Sequence, residues 1–510
     1  MMTVATVQSG DFIDAADARR VAVGAMLDGT RQKRHEQYFT PAAVARLMAS
    51  MIQSCQADVL SLLDPGAGTG ILSAALVEAI LAWPQPPQRI DIVAYEIDRA
   101  LHPHLGDTLA LCARTCAERG VVLTYAIRGE DYIAAAADML DGRLFGRQAD
   151  VFDLCIMNPP YGKIHSSSPE RAHMRRLGVE TSNLYTAFLA LAARLLAPAG
   201  QLVSITPRSF CNGSYFQAFR RDFLGLMTPD RTHVFGRRDR AFKADNVLQE
   251  TIIMHAIKTG ERPGRVTISS SVSIDDPPRE HDIPYARLVR PDDREMVMHL
   301  IEDADGADIA ARMDALPCTL GVLGLDVSTG PVVDFRATEY LRAVAGSDMV
   351  PLLWPEHCRD GRVVWPRDGS NKPQAIVPGG GIARHMVPTG RYVLVKRFSA
   401  KEERRRVVAV VLDGRALSDS VLGVENHLNV IHAGGRGLTP SLARGLALFL
   451  NSTVVDRHFR QFSGHTQVNA TDLRRMRYPS RAQLDTLGAA VGDVMPTQAE
   501  IDEIVERTIQ

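Results

Sequence analysis

The chain has little cysteine and no CxxC pair. Its seven cysteines, at positions 55, 112, 116, 155, 211, 318 and 358, are scattered and odd in number over 510 residues. This argues against a disulfide framework or a cysteine zinc site and fits a reducing cytoplasm. No apolar run approaches the roughly 20 residues that a bilayer requires, and the first residues, MMTVATVQSGDFIDAADARR, carry early acids instead of a signal-peptide core. A soluble, intracellular chain without membrane contact is expected. Net charge is nearly absent at −1, which argues neither for nor against a nucleic-acid partner, because local patches create the binding field. Internal repeats and low-complexity tracts are also missing. What the chain does have is 45% apolar residues, enough for two or three domains with separate cores.

From residue 42 the pattern becomes regular. AAVARLMASMI (42–52) has helical spacing after Thr40-Pro41. VLSLLD (59–64), IDIVAYE (90–96), VVLTYAI (121–127), VFDLCIM (151–157) and QLVSIT (201–206) read as strands. Helices are expected over 71–83, 105–119 and 184–200. Continuous apolar strands alternating with helices predict an α/β fold with a mostly parallel sheet. The regularity fades near 260, and TGERPGRVTISSSVSIDDPPRE (259–280) reads as a linker or irregular crossover. The expected organisation is a domain over 1–260 and a mixed α+β domain over 281–510 that ends in a helix near 495–508.

Three motifs carry chemistry. LLDPGAGTG (62–70) runs a strand into Gly66, Gly68 and Gly70 before a helix, letting backbone approach a ligand closely. Its G-x-G-x-G spacing is not the dinucleotide G-x-G-x-x-G, and taken alone it can be a simple strand-to-helix turn. Glu96, ending the next strand in YEID, could accept both ribose hydroxyls or be a solvated acid. Asp131 in RGEDYI could accept an adenine amine or cap a helix. In their order, the set points to a nucleoside cofactor. The third motif is Asn158-Pro159-Pro160-Tyr161, at the end of an apolar strand. An exocyclic aromatic amine is a poor nucleophile because its lone pair is delocalised into the ring. Acceptors aimed at its N–H groups, the Asn158 amide oxygen and the Pro159 carbonyl, would favour the pyramidal geometry that frees it. Tyr161 would stack on the base.

These motifs resemble those of the gamma-class S-adenosylmethionine-dependent N6-adenine DNA methyltransferases of restriction–modification systems, over residues 30 to 260. The resemblance implies a Rossmann-like class I methyltransferase domain followed by a target-recognition domain. DPGAGTG, with Asp64, is similar to the cofactor loop, YEID to the ribose-binding segment and NPPY to the catalytic tetrapeptide. QYFTPAAVARLM (37–48) resembles the segment that closes over the methionine end, implicating Phe39, Thr40 and Pro41. AFKADNVLQETIIMHA (241–256) resembles the motif whose aromatic, here Phe242, packs against a flipped base. The implied cofactor is S-adenosylmethionine, the implied substrate double-stranded DNA, and the implied companion a separately encoded cognate endonuclease, since no PD…ExK pattern is convincing here.

Near relatives are separable by residue type. Cytosine-C5 chemistry needs a Pro-Cys nucleophile after the fourth strand, whereas Pro317-Cys318 lies far beyond it. Cytosine-N4 enzymes usually begin the tetrapeptide with Ser. Glutamine and RNA methyltransferases with NPPY usually lack a long C-terminal extension, and an inactive binding module would not keep every motif position filled. An orphan or phage-defence methyltransferase would carry the same motifs.

In the extension, VKRFSAKEERRR (395–406) and RHFRQFSGHTQVNATDLRRMR (457–477) concentrate cations beside aromatics. Each could be a solvated basic surface or a DNA contact. The candidates are Lys396, Arg397, Arg457, Arg460, His465, Gln467, Asn469 and Arg474. Gln467 and Asn469 suit adenine edges, though Asn469 could also cap a helix. SGHTQVNATDLR and ENHLNVIH (425–432) are similar to segments of the PstI and BsuBI type, whose family target is CTGCAG.

Overall fold

The computed structural model describes all residues except 1–10, 27–38, 145–150, 236–249, 275, 400–402, 419, 464–465, 493 and 510. The chain divides into two compact units, Met1–Asp303 and Ala304–Gln510.

The first unit is built on a nine-stranded sheet: β1 (Val59–Pro65), β2 (Arg89–Tyr95), β3 (Val122–Arg128), β4 (Phe152–Met157), β5 (Leu196–Pro207), β6 (Thr228–Phe235), β7 (Thr251–Ile257), β8 (Arg265–Ser271) and β9 (Arg279–Pro284). Their spatial order is β3-β2-β1-β4-β5-β7-β6-β8-β9. The first five are mutually parallel, while β7 enters antiparallel between β5 and β6. Helices fall into two groups. Asp11–Met26, Ala42–Ser50 and His102–Glu118 pack on Ile71–Leu81, and Tyr132–Leu144 packs on Leu184–Leu195. The buried runs of β1 and β4 follow from this cover, because a parallel strand inside a sheet has no wet face. This is the expected Rossmann-like α/β architecture. The sheet order reverses between β1 and β4, and in such sheets ligands bind beyond the strand C-termini at that reversal.

Three expectations need correction. The residues read as a linker contain β8, which pairs with β6, and the start of β9, which pairs with β8, and they carry the first unit past residue 260 to Asp303. Their Ser- and Thr-rich character suits strands at a sheet edge, where a continuous apolar run is unnecessary. The helix expected over 184–200 stops at Leu195, and Leu196 already pairs with Phe152. Pro198 has no N–H to continue the helix. Ala199 takes the left-handed φ of 62°, and its N–H donates to the Lys258 carbonyl at 2.8 Å.

The second unit holds a six-stranded sheet centred on Arg391–Lys396, which pairs antiparallel with Ala409–Asp413 and Leu428–His432, and a separate five-stranded sheet. Two apolar clusters fill this unit: one around Tyr392, Leu412 and Leu428, to which both sheets contribute, and one around Leu352, Trp354 and Ile376. Helices Pro440–Leu450 and Arg481–Ala489 cross closely at Gly445 and Gly488, where a Cβ on either glycine would collide with the other helix's backbone. The chain's last described helix is Gln498–Ile509. All seven cysteines are free, and no described helix is long and apolar enough to cross a membrane.

Candidate active site and nucleic-acid surface

The C-terminal ends of β1, β2 and β4 open onto a cavity of about 340 Å³ lined by Phe39, Gly66, Gly68, Glu96, Asp131 and Asn158, among others. The β1 loop is tied down by its own backbone: the N–H groups of Gly66 and Ala67 both donate to the Tyr95 carbonyl at 2.9 Å. Gly66, Gly68 and Gly70 adopt φ of 81°, 57° and 86°, the left-handed region that glycine enters without a Cβ penalty. At Gly68 a Cβ would lie 3.3 Å from the Phe39 ring, and at Gly70 2.9 Å from Leu105. Close packing, not only ligand access, therefore demands these residues.

Glu96 is buried, and its two carboxylate oxygens accept N–H bonds from Gly68 (2.8 Å) and Asp98 (2.7 Å). Burial raises its pKa, and these amides offset part of the rise. Each oxygen retains a lone pair, so the group can hold two hydroxyls without losing its supports. Asp64 lies deeper. Its Oδ2 accepts from the Ser73 hydroxyl at 2.6 Å, its Oδ1 has no partner among the described residues, and burial pushes its pKa up to about 7. Asp131 Oδ1 accepts the Ala134 N–H at 2.9 Å, which realises the cap reading while the residue still borders the cavity.

Asn158 is clamped from both ends. Its Nδ2 donates to Thr40 Oγ1 at 3.1 Å, and its Oδ1 accepts from the Tyr161 hydroxyl at 3.0 Å. Two hydroxyls thus hold the plane of the amide in place from opposite ends. Pro160 lines the cavity, and Pro159 lies between it and Asn158 at the same strand tip. Tyr161 is only 8% exposed and meets Tyr185 edge-on, with ring centroids 6.3 Å apart. Phe39 packs with Val23 and Leu101, and Pro41 starts the helix Ala42–Ser50 by accepting the Ala45 N–H. Phe242 lies outside the described residues.

The motifs do not name the cavity's apolar walls. Ile97 follows Glu96 and is 52% exposed. Tyr132 and Phe188 lie with ring centroids 4.8 Å apart, and the buried Tyr132 hydroxyl has no partner among the described residues. An aliphatic residue directly after the strand-end acid was the available signal for Ile97; Phe188 sits in a helix whose buried face looks uniform in sequence. The bare glycine backbone, a carboxylate with spare lone pairs and apolar walls together suit a nucleoside with a polar tail.

In the second unit the candidate cations divide. Arg406 is buried: Nε donates to Ser399 Oγ at 3.2 Å, Nη2 to Ser463 Oγ at 3.1 Å, and the guanidinium covers the Phe459 ring. Arg405 donates to the Asn451 carbonyl. Arg460 binds Asp456 at 2.7 Å, and Arg474 binds Asp326 at 2.7 Å. Arg457 borders a cavity with Asp305, Asp308, Asp502 and Glu506, an environment that repels phosphate. Asn469 and Asp472 form the reciprocal cap of helix Ala470–Arg475. Lys396 and Arg397 end a strand, and Gln467 bridges to Phe398. His465 lies outside the described residues.

Residues 126–242 match the family described as Eco57I restriction-modification methylase. Over 495 residues the chain is 40% identical to the type II methyltransferase M.PstI of Providencia stuartii, covering 97% of this chain and 96% of that one. It is 38% identical over 503 residues to the type II methyltransferase M.BsuBI of Bacillus subtilis, covering 98% of each. The type IIL restriction–modification enzyme MmeI, solved in complex with DNA, shares the fold at a TM-score of 0.55 and 11% identity, over 98% of this chain and 73% of that one.

Proposed function

The chain belongs to the type II methyltransferase family represented by M.PstI and M.BsuBI, and from that premise we propose that it methylates adenine N6 at a short duplex DNA target. The observation that carries the base assignment is the clamped amide of Asn158 at the rim of the nucleoside cavity. The cofactor is S-adenosylmethionine. Bound there, it supplies a sulfonium methyl for direct transfer to an amine nitrogen, leaving a neutral thioether.

Glu96 holds the ribose hydroxyls, Gly66 and Gly68 admit the cofactor against bare backbone, and Ile97 and Phe188 enclose its base. Asn158 Oδ1, oriented by the Tyr161 hydroxyl, accepts one N6–H bond and the Pro159 carbonyl accepts the other. Together they stabilise the geometry in which N6 carries its lone pair toward the methyl carbon. The N6 proton is lost after transfer, so no strongly tuned general base is required. Reaching the site requires the adenine to leave the helix stack, at a cost of a few kcal/mol. The second unit selects the sequence. In the cytoplasm the mark protects host DNA from a cognate endonuclease encoded separately.

The test is single-molecule sequencing with modified-base detection on DNA from a methylation-deficient host expressing the chain or Asn158→Ala. N6-methyladenine at one motif, absent with the variant, is expected. Purified Asn158→Ala should lose at least roughly 10³-fold in kcat while cofactor affinity changes little; equal loss of both contradicts the role given to Asn158.

A further inference from the structure

Three segments of the second unit join into one ribbon: the end of strand Arg391–Lys396, the turn at 425–427, and 466–468. The Arg397 N–H donates to the His427 carbonyl at 2.9 Å, the Val468 N–H to the Arg397 carbonyl at 2.7 Å, and the Ser399 N–H to the Thr466 carbonyl at 2.9 Å. Phe398 stands on this ribbon, 42% exposed. Its ring centroid lies 4.8 Å from that of His427 at an angle of 39°, and the Arg397 guanidinium lies 5.7 Å from the same ring. Gln467 pairs across from Phe398 in the ladder.

His427 is fixed from behind. Its Nδ1 lies 2.5 Å from Oε1 of Glu425, which has no exposed surface, and its backbone N–H donates to Oε2 at 2.8 Å. The Glu425 carboxylate holds Nδ1, which fixes the plane of the half-exposed ring and leaves Nε2 on the side away from Glu425. The ribbon is also anchored beneath. Ser399 is buried and donates through Oγ to the Arg406 carbonyl, while the Arg406 side chain reaches both Ser399 and Ser463. A rigid support therefore presents an aromatic face, a primary amide, an oriented imidazole and one guanidinium together. Phosphate attraction alone would require only the cation.

We propose, resting on the DNA-methylation reading above, that Phe398, His427 and Gln467 form a base-reading contact of the second unit, with Arg397 on the neighbouring phosphate. Gln467 suits the paired donor and acceptor of an adenine major-groove edge, His427 Nε2 hydrogen-bonds a polar atom of a base edge, and the Phe398 ring covers an apolar base surface such as a thymine methyl. Arg397 contributes attraction without sequence information.

The experiment maps methylated sites genome-wide for the wild type, Phe398→Ala, Gln467→Glu and Arg397→Ala, with DNA KM, kcat and cofactor affinity measured on the purified proteins. Gln467→Glu, nearly isosteric, should erode discrimination at one base pair by roughly tenfold to a hundredfold. Phe398→Ala should raise KM for DNA and relax the neighbouring position, with Phe398→Tyr restoring both. Arg397→Ala should weaken binding to all sequences alike. Cofactor affinity should not move. Unchanged site preference in both Phe398→Ala and Gln467→Glu overturns the proposal, as does a loss of folding in Phe398→Ala with an unaltered motif in Gln467→Glu. A wild-type mark on a base other than adenine would overturn the adenine assignment instead, and the site-preference comparison would still be readable on that base.

Discussion

Glu96 in the first unit and Arg406 in the second are both buried charges, yet their surroundings use them oppositely. Glu96 accepts two backbone amides and keeps lone pairs directed at a cavity. Arg406 spends its donors on Ser399 and Ser463 and its face on Phe459. The first charge is held ready for a ligand, and the second is mortar between a strand and a helix. A cation count along VKRFSAKEERRR treats Arg406 like its neighbours, although only its packing decides its role.

Arg406→Ala should break this contrast most severely. Removing a buried guanidinium leaves two serine hydroxyls without its donors and a void against Phe459, a loss of about 3 kcal/mol or more. Denaturant unfolding should report it, with cofactor affinity of the folded enzyme unaltered. Asp64→Asn tests the acidic side through pH. The folded carboxyl titrates near 7 and its unfolded counterpart near 4. Below about 4 both states are protonated and the group contributes nothing. Between about 4 and 7 the unfolded chain releases the proton first, so stability falls as pH rises, then levels above 7. The stability of the wild type relative to Asp64→Asn should therefore decline by on the order of 4 kcal/mol across that window. Melting temperatures measured from pH 4 to 8 check it, and a difference independent of pH would refute the raised pKa.

The cofactor half is legible because its constraints are local. β1, β2 and β4 are runs of buried residues, and each motif sits one residue beyond a strand, where loop chemistry is dictated by that strand's end. Thr40 and Asn158 bond across 118 positions, yet each belongs to its own recognisable segment. The strands past 257 are less legible because β9 is the edge strand and β8 its neighbour, and neither has a continuous apolar run. In the second unit strands of two to six residues pair over long separations, such as Asp326–Thr329 with Leu428–His432. Which arginine faces water depends on those pairings, and no local pattern records it.

Gly68→Ala sharpens the first side of the contrast with a smaller effect. Its φ of 57° costs an alanine about 1 kcal/mol, and the added methyl presses on Phe39 at 3.3 Å. Calorimetric titration should show weaker cofactor binding, with unfolding free energy lowered by about 1 kcal/mol.

The smallest effect belongs to Arg457, which with Arg312 borders a cavity carrying four acids. Phosphate neutralisation makes affinity fall with salt, and each lost contact lowers the logarithmic slope by about one. Arg457 faces carboxylates that would repel a phosphate, so Arg457→Ala should leave the slope unchanged and DNA affinity within about twofold. Arg397, which follows the strand beside Phe398 and spends one donor on the Asn426 carbonyl at 3.2 Å, should reduce the slope by about one when replaced. Titration of the same duplex at several salt concentrations compares them directly. A reduced slope for Arg457→Ala would mean that the acid-lined cavity rearranges on DNA, and the inward and outward cations would no longer form separate classes.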